Sequence, residues 1–349
     1  MNTSLAPLLA LIAIGVPYIA SGGDTANPPA IPATMRAAAL DHGGNSDVLS
    51  LHTLPVPQLG PNDVLIATDT AGVASWDANI RHDPDIYGTH RHLPLILGTD
   101  GAGLVAAVGP GVEGFKVGDK VYAYSFDNPK GGFYAEYVVV VANHVGHVPE
   151  NLTLKEAGAI GTTGLTAIQG VDDALHLKSG DTVLIHGATG GVGTLAIQFA
   201  KLRGARVLAT VSGEDGATLA RSLGADAVID GHHGDIVAAA QAFAPHGIDA
   251  VLALAGGDTL DRCTAALRPG GVLAYPSGVE PVPKPRDGIR VLRYDAVAGP
   301  QEFERLNTAI AAAKLRVPIA AEYSLADAAK AHQRLATGHV LGKVVLHVH

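Results

Sequence analysis

The sequence predicts an α/β fold in two parts, a β-rich barrel-like or sandwich region followed by a doubly wound parallel sheet. Three observations carry that expectation. From Met35 to about Glu150, short strand-like runs recur between Gly and Pro residues: DVLIAT (Asp63 to Thr68), GLVAAVG (Gly103 to Gly109), KVYAY (Lys120 to Tyr124) and AEYVVVV (Ala135 to Val141). Regular short strands with turn residues between them are the mark of an antiparallel β domain. From about Lys178 the rhythm changes, and strand-like runs begin at Val183, Val207, Ala227, Ala250 and Val272, offsets of 24, 20, 23 and 22 residues by subtraction. The third observation is a glycine cluster, Gly187, Gly190, Gly191 and Gly193, set between a strand-like and a helix-like segment.

Taken in order, the first thirty-four residues stand apart. The apolar run Leu5 to Ala20 is interrupted by Pro7 and Pro17, and a membrane span needs about 20 uninterrupted apolar residues. No membrane span is therefore expected. Two readings stay open: residues 1–22 act as a signal peptide that exports the chain, although no Lys or Arg precedes the apolar run, or translation starts at Met35 and the protein is cytoplasmic. Either way residues 1–34 form an extension outside the fold.

The chain of 349 residues is long enough for two domains, each with its own core. With 47% hydrophobic and 16% charged residues it has the composition of a folded globular protein. Its net charge of −9 and lack of a basic run exclude nucleic acid as an expected partner, since phosphate backbones need clustered Lys and Arg. Cys263 is the single cysteine, which rules out an intramolecular disulfide and a thiolate-rich zinc site.

Between the second-half strands lie helix-like segments, Thr194 to Arg203, Ala217 to Leu223, Asp235 to Phe243 and Thr259 to Leu267. Gly204 and Gly224 close the first two, as glycine does just past a helix end. Strand–helix alternation at this period demands a parallel sheet covered on both faces. Two further helical patterns (Phe303 to Ala313, Leu325 to Ala336) precede a last strand, Lys343 to Val348.

The glycine cluster carries the chemistry. In TVLIHGATGGVGTLAIQFAK (Thr182 to Lys201), glycines let the backbone turn sharply and approach a pyrophosphate, while the next helix offers its unpaired N–H groups. The first glycine of the usual fingerprint is Ala188 here, followed by Gly190 and Gly193. The strand before, the helix after and a second strand on schedule supply the context that a lone motif lacks. A dinucleotide is the expected cofactor. An NAD site ordinarily carries an acid at the end of its second strand, to hold the ribose 2′-hydroxyl. That strand ends Thr210, Val211, Ser212, with no acid before Glu214. NADPH is therefore favoured over NADH, unless Glu214 or Asp215 bends back.

The motifs LPLILGTDGAGLVAAVGPGVEGFKVGDKVYAY (Leu93 to Tyr124), GGFYAEYVVV (Gly131 to Val140), GAIGTTGLTAIQG (Gly158 to Gly170), IDAVLALAGGDTLDRCTAALRPGGVL (Ile248 to Leu273) and LGKVVL (Leu341 to Leu346) occur in order with the glycine cluster. Together they resemble the zinc-independent medium-chain dehydrogenase/reductases of the quinone oxidoreductase type, over essentially all of Met35 to His349. The resemblance implies a GroES-like catalytic domain at 35–157, completed by 293–349, with a Rossmann domain inserted at 158–292. It also implies a homodimer and a small quinone or carbonyl substrate. Zinc-dependent relatives place a His-Glu pair where this chain has Thr99 and Asp100, and need an upstream cysteine that it lacks, so no zinc is expected. His82, His90, His92, Asp83 and Asp85 share a presumed loop and His232 adjoins His233, but their spacing matches no ligand set.

Without metal, an acceptor that gains charge on oxygen needs hydrogen-bond donors or a proton source in a dry cleft. This points to a quinone or an α,β-unsaturated carbonyl as hydride acceptor, the cofactor supplying the hydride. The resemblance implies Tyr87 and Asp77 as catalytic residues, with a scaffold role for Asp77 as the alternative. In TAGVASWDANIR the family's cleft asparagine is Ala74, and Trp76 is placed to wall the cleft. That missing amide supports a competing reading, a nucleotide-binding protein with little catalysis that acts as a structural or redox-sensing partner. Cofactor contacts are expected from Thr163, Gly164 and Thr166 at the nicotinamide side, and from Ala188, Thr189, Gly190, Gly191 and Val192 at the pyrophosphate. Ser212 is assigned to the 2′-phosphate, Leu254, Gly256, Ser277 and Gly278 to strand ends, and Lys343 to the closing Gly-Lys pair.

Overall fold

The computed structural model describes Met1 and residues 30–86 and 91–348. The apolar run of the N-terminal extension, and with it both readings of that segment, lies outside the described residues, as does Tyr87. Residues Ile31–His349 make one compact unit. No helix among the described residues is long and apolar enough to cross a membrane.

Strands β1 (Thr34–Leu40) and β2 (Ser50–Pro55) pair as an antiparallel hairpin. Next come β3 (Asp63–Val73), helix α1 (Ser75–His82) and β4 (Leu95–Ile96), which joins the free edge of β1. Strands β5 (Asp100–Val108), β6 (Lys120–Tyr124), β7 (Tyr137–Val141) and β8 (Val145–His147) continue the antiparallel pattern. Helices α2 (Leu154–Gly158) and α3 (Gly161–Gln169) lead out of this region.

The parallel half then runs β9 (Thr182–His186), α4 (Gly191–Leu202), β10 (Arg206–Val211), α5 (Gly213–Ser222), β11 (Ala227–Asp230), α6 (Ile236–Phe243), β12 (Ile248–Ala253), α7 (Asp258–Ala265), β13 (Leu267–Pro276) and β14 (Arg290–Tyr294). Its sheet order is β11-β10-β9-β12-β13-β14, the 3-2-1-4-5-6 sequence of a dinucleotide-binding fold. Every residue of β9, TVLIH, is buried, as a central parallel strand covered on both faces requires.

The chain returns through α8 (Pro300–Ala313), β15 (Ile319–Ser324), α9 (Ala328–Ala336) and β16 (Lys343–His347). Strand β16 lies antiparallel to β3, pairing Val344 with Val73 through His347 with Thr70, and so completes the seven-stranded sheet of the first region from the far end of the chain. Leu325, Ala328, Ala331, Val344 and Leu346 accordingly share a core with Val64, Ile66 and Val121. The expected boundary between 292 and 293 falls inside β14, and α8 buries Phe303, Leu306 and Ile310 in the same core as Leu165 of α3 and Phe199 of α4. Helix α8 also touches the first sheet: Phe303 packs edge-on against Tyr122 of β6, and Asn307 accepts from the Tyr122 hydroxyl and donates to the His147 carbonyl of β8.

At the centre of the first domain sits a chain of buried polar groups. Asp77 in α1 accepts hydrogen bonds from the Ala74 N–H (2.8 Å) and the Tyr134 hydroxyl (2.9 Å). The Tyr134 oxygen also lies 3.2 Å from His332 Nε2, and His332 Nδ1 lies 2.8 Å from Arg81 Nη1. Burial, and then the nearby Arg81 charge, pull the His332 pKa down to about 3, while burial drives Asp77 up to about 7 against the lowering effects of its hydrogen bonds and Lys343. Below its unfolded value near 6.5, His332 binds fewer protons in the native state, so its contribution falls as pH falls toward 3. Asp77 has the opposite sign: the native state retains its proton between 3.8 and about 7, so its contribution grows as pH falls through that range. The two slopes oppose each other between pH 6.5 and 4. Replacing His332 by Asn removes one of them. In denaturant unfolding of His332→Asn and wild type, the stability deficit of the variant should shrink by about 1.4 kcal/mol per pH unit on acidification over that window. A deficit that does not change with pH would contradict a neutral buried His332.

Candidate active-site cleft

Strand β9 delivers the chain to a tight turn. Gly187 there has φ +78° and its carbonyl accepts the Gly190 N–H at 3.3 Å. A side chain at Gly193 would collide with the Gly187 carbonyl and lie 2.7 Å from Ala188 backbone atoms, so this glycine is required by the turn itself. Gly190 differs: it is extended (φ −77°, ψ 178°), and a Cβ would meet nothing nearer than 3.7 Å. It faces open space at the start of α4, whose first N–H groups have no intrahelical acceptor.

The segment entering β16 crosses this turn. The Gly342 N–H donates to the Thr189 carbonyl at 2.8 Å, and Gly190 and Gly342 form a parallel bridge. Lys343 follows, only 5% exposed, with Nζ 3.7 Å from Asp100 Oδ1 and 5.7 Å from the centre of the Trp76 ring. Asp100 in β5 is fully buried, and its Oδ2 accepts the Thr162 N–H at 2.9 Å while Oδ1 makes no hydrogen bond. The ammonium is held by charge alone, without a bond that fixes its direction. A buried cation beside bare backbone amides fits a diphosphate.

Two cavities meet here. One of about 240 Å³ runs along Gly190, Gly191, Thr163, Leu254 and Lys343. The other, about 630 Å³, is lined by Tyr124, Phe126, Thr162, Thr166, Tyr275 and Arg293. They share walls that include Trp76, Asn79, Val192, Pro276, Ser277 and Val279. Smaller at the glycine turn and larger beyond it, this space suits a dinucleotide with a small acceptor beside it.

Most expected contact residues converge on this space. Gly190, Gly191, Val192, Thr163, Leu254, Ser277, Gly278 and Lys343 line the first cavity and Thr166 the second. Thr163 and Thr166 spend their hydroxyls on the carbonyls of Ala159 and Thr162, both at 2.8 Å. Ser277 Oγ is oriented by Arg293 Nε at 2.7 Å. Ala188 is wholly buried beneath the turn, and Thr189 contributes its carbonyl to Gly342. Gly164 lines neither cavity; a Cβ there would sit 3.1 Å from Leu306, so it allows α3 to pack on α8. Gly256 is likewise a close-approach glycine, where a Cβ would strike the Glu280 carbonyl. At the end of β10, Ser212 caps α5 without a side-chain capping bond. Glu214 pairs with Arg221 at 3.3 Å, and Asp215 accepts from Gly216 N and pairs with His339 Nε2, each at 2.8 Å. Neither acid bonds to Ser212.

Asp77 lines neither cavity: it makes the scaffold bonds described above. Asn79, two residues or about half a turn further along α1, lines both cavities, as does Trp76, whose Nε1 donates to Thr99 Oγ1 at 3.0 Å. Asn79, Thr162 and Tyr124 lie within the motif stretches but are not singled out there from their neighbours, and Arg293 lies in none of them. Burial, then the charges of Asp100 and Asp295, raise the Tyr124 pKa and keep its phenol a neutral donor. No group of three or more His, Cys, Asp or Glu that could hold a metal occurs among the described residues.

A family model described as an alcohol dehydrogenase GroES-like domain matches residues 60–150, and one described as a zinc-binding dehydrogenase matches 223–346. The quinone oxidoreductase of Sus scrofa is 32% identical over 332 residues, 89% of this chain and 97% of that protein. The probable quinone oxidoreductase of Schizosaccharomyces pombe is 32% identical over 320 residues, 87% of this chain and 94% of that protein. Among solved structures, an NAD-dependent alcohol dehydrogenase superposes with TM-score 0.83 at 33% identity, covering 90% of this chain and 100% of its own. A mycobacterial protein complexed with NADPH gives TM-score 0.80 at 32% identity with the same coverage.

The two turn glycines make opposite predictions. Gly193→Ala should lower stability by about 1–3 kcal/mol, the cost of overpacking. Gly190→Ala should leave stability within about 0.5 kcal/mol yet weaken nucleotide binding about tenfold by blocking the backbone's approach to phosphate. Thermal unfolding and calorimetric titration check both, and wild-type nucleotide affinity in Gly190→Ala would contradict the assignment.

Proposed function

This chain belongs to the medium-chain dehydrogenase/reductases of the quinone oxidoreductase type, and we propose that it is an NADPH-dependent reductase passing hydride to a quinone or α,β-unsaturated carbonyl without a metal. The observation that carries the reading is the joined cleft, with bare glycine backbone and a buried ammonium at one end and neutral hydroxyl donors at the other.

In this reading the first N–H groups of α4, at Gly191 and Val192, together with Lys343 hold the pyrophosphate, Gly190 leaves room for its approach, and Ser212 receives the 2′-phosphate. Thr163 and Thr166 pack on the nicotinamide side, and Leu254, Ser277 and Gly278 close the opposite wall at the strand ends. Bound NADPH supplies the hydride. The acceptor lies in the wider cavity, where Tyr124 and Thr162 donate hydrogen bonds to the oxygen that gains charge, and Trp76, Phe126 and Val279 keep water away. Metal-free operation rests on residue type and on bonding: Thr99 accepts from the Trp76 indole, and Asp100 is committed to Thr162 N and Lys343. An enone or quinone suits such a site, because its oxygen takes charge by conjugation and needs less electrophilic help than a simple ketone. The open edge of β14, with Leu292 exposed, is where a homodimer would extend the six-stranded sheet.

Absorbance of NADPH followed with 1,4-naphthoquinone and but-3-en-2-one tests the reading. Saturable oxidation is expected, with kcat/KM for NADPH about tenfold or more above that for NADH, and Ser212→Asp should reverse the preference by placing an acid where the 2′-phosphate binds. Tight NADPH binding with no turnover on either acceptor would instead favour the nucleotide-binding reading that Ala74 suggests.

A further inference from the structure

A small void shares Phe126 with the lining of the wider cavity. It measures about 20 Å³ and is lined by Asp77, Ile80, Arg91, Thr99, Ser125 and Phe126 among others. That is room for one water molecule, which needs roughly 10–15 Å³ and two or more polar partners. Asp77 supplies one partner. Its side chain is wholly buried, Oδ2 is used by Ala74 N and Tyr134, and Oδ1 makes no hydrogen bond.

Thr99 is the other wall that matters. Its hydroxyl has two acceptor sites and one donor. The Trp76 indole occupies one acceptor site at 3.0 Å, and Thr162 Oγ1 lies 3.5 Å away, at the lining of the wider cavity. With the indole fixed as donor, the Thr99 hydroxyl can donate to Thr162 Oγ1 or accept from it, and a further site on Thr99 is left for a water in the void. A sequence of donors therefore runs from a buried carboxyl to the cleft wall.

We propose that Asp77 is the proton reservoir of the cleft, delivering its proton through one water in the void to Thr99 and from Thr99 to Thr162 beside the acceptor. The inference rests on the reductase reading of the cleft. The hydride carries both electrons to the acceptor, and the chain supplies the proton. As the acceptor anion takes the Thr162 hydroxyl proton, Thr162 takes that of Thr99, Thr99 takes one from the water, and the water takes that of Asp77 Oδ1. At each step one O–H bond breaks as the next forms. Asp77 ends as a carboxylate, no protein group is oxidised or reduced, and a solvent proton restores the acid after product leaves.

Among the groups facing Asp77, only Asp100 adds to burial in favouring the neutral form, while the Ala74 N–H, Lys343 and Tyr134 favour the carboxylate. Tyr134 and Asp100 are near, Lys343 and Arg81 are the neighbouring cations with Arg91 at the void, and His332 is held neutral. Burial outweighs the rest and raises the carboxyl to about 7. Turnover should therefore fall as pH rises through that value.

The test has a spectroscopic and a kinetic arm. In nucleotide-free protein, pH-difference infrared spectra should show a neutral carboxylic acid band lost between about pH 6 and 8, and missing in Asp77→Asn. In Thr99→Val, turnover with but-3-en-2-one at saturating NADPH should fall about 10²-fold, the scale of a lost general acid. NADPH affinity should stay within twofold, and the alkaline limb should vanish. Thr99→Ser should restore both rate and limb, and Thr162→Val should repeat the Thr99→Val result should that variant fold poorly. Wild-type turnover and limb in the folded valine variants, or no titrating band, would overturn the relay alone. A wild type that binds NADPH and turns over nothing would overturn the reductase reading as well.

Discussion

The cleft exists because the last strand of the chain docks on the first turn of the parallel half. The Gly342 N–H reaches the Thr189 carbonyl, and the backbone at Gly342 has φ +112° with the Pro318 carbonyl so close that no side chain fits. That single backbone contact joins the two sheets at the point where strand order reverses, the place where open parallel sheets gather ligands. It also fixes Lys343 one residue on. Without this docking the ammonium would lie in solvent, where its strong hydration would be regained. With it, the charge is buried between Asp100, Trp76 and the glycine turn.

Burying charge here is costly, and the surroundings are arranged to offset it. Asp100 balances Lys343 only in part: one oxygen is satisfied by Thr162 N, and the other faces the ammonium at 3.7 Å without a hydrogen bond. An incompletely paired cation in a dry cleft has a strong reason to bind an anion. Burial likewise raises the Asp77 carboxyl, against the opposing pull of its hydrogen bonds and Lys343. The site thus holds a buried ammonium at its glycine end, and neutral hydroxyl donors together with Arg293 at the other, an arrangement suited to a reaction in which an anion forms on the acceptor.

How much of this was legible in the sequence follows from the range of each signal. Strand and helix periodicity is local, so the runs at Val183, Val207, Ala227, Ala250 and Val272 and the glycine turn could be read directly, and the observed strands fall on them. Strand β14, RVLRY, carries two arginines and lies at a sheet edge, and β15, IAAEYS, is half exposed, so neither shows the apolar run or clean alternation that marks a strand. Helix α8 showed its helical pattern but not its address, since its packing on α3 and α4 is decided by contacts more than a hundred residues apart. Glycines misled in one respect. Gly164 and Gly256 belong to motifs yet serve close packing, because a glycine needed by a neighbour looks the same in sequence as one needed by a ligand. Asn79, Thr162, Tyr124 and the Asp100–Lys343 pair were invisible for a related reason, as each becomes meaningful only when distant segments meet.

Amide hydrogen exchange in the presence and absence of NADPH tests the central contact most directly. Residues 189–193 and 340–344 should slow together when the nucleotide binds, because the turn and the docked strand hold it as one unit. Protection confined to the turn, or to neither segment, would contradict the claim that the docking of β16 builds the site.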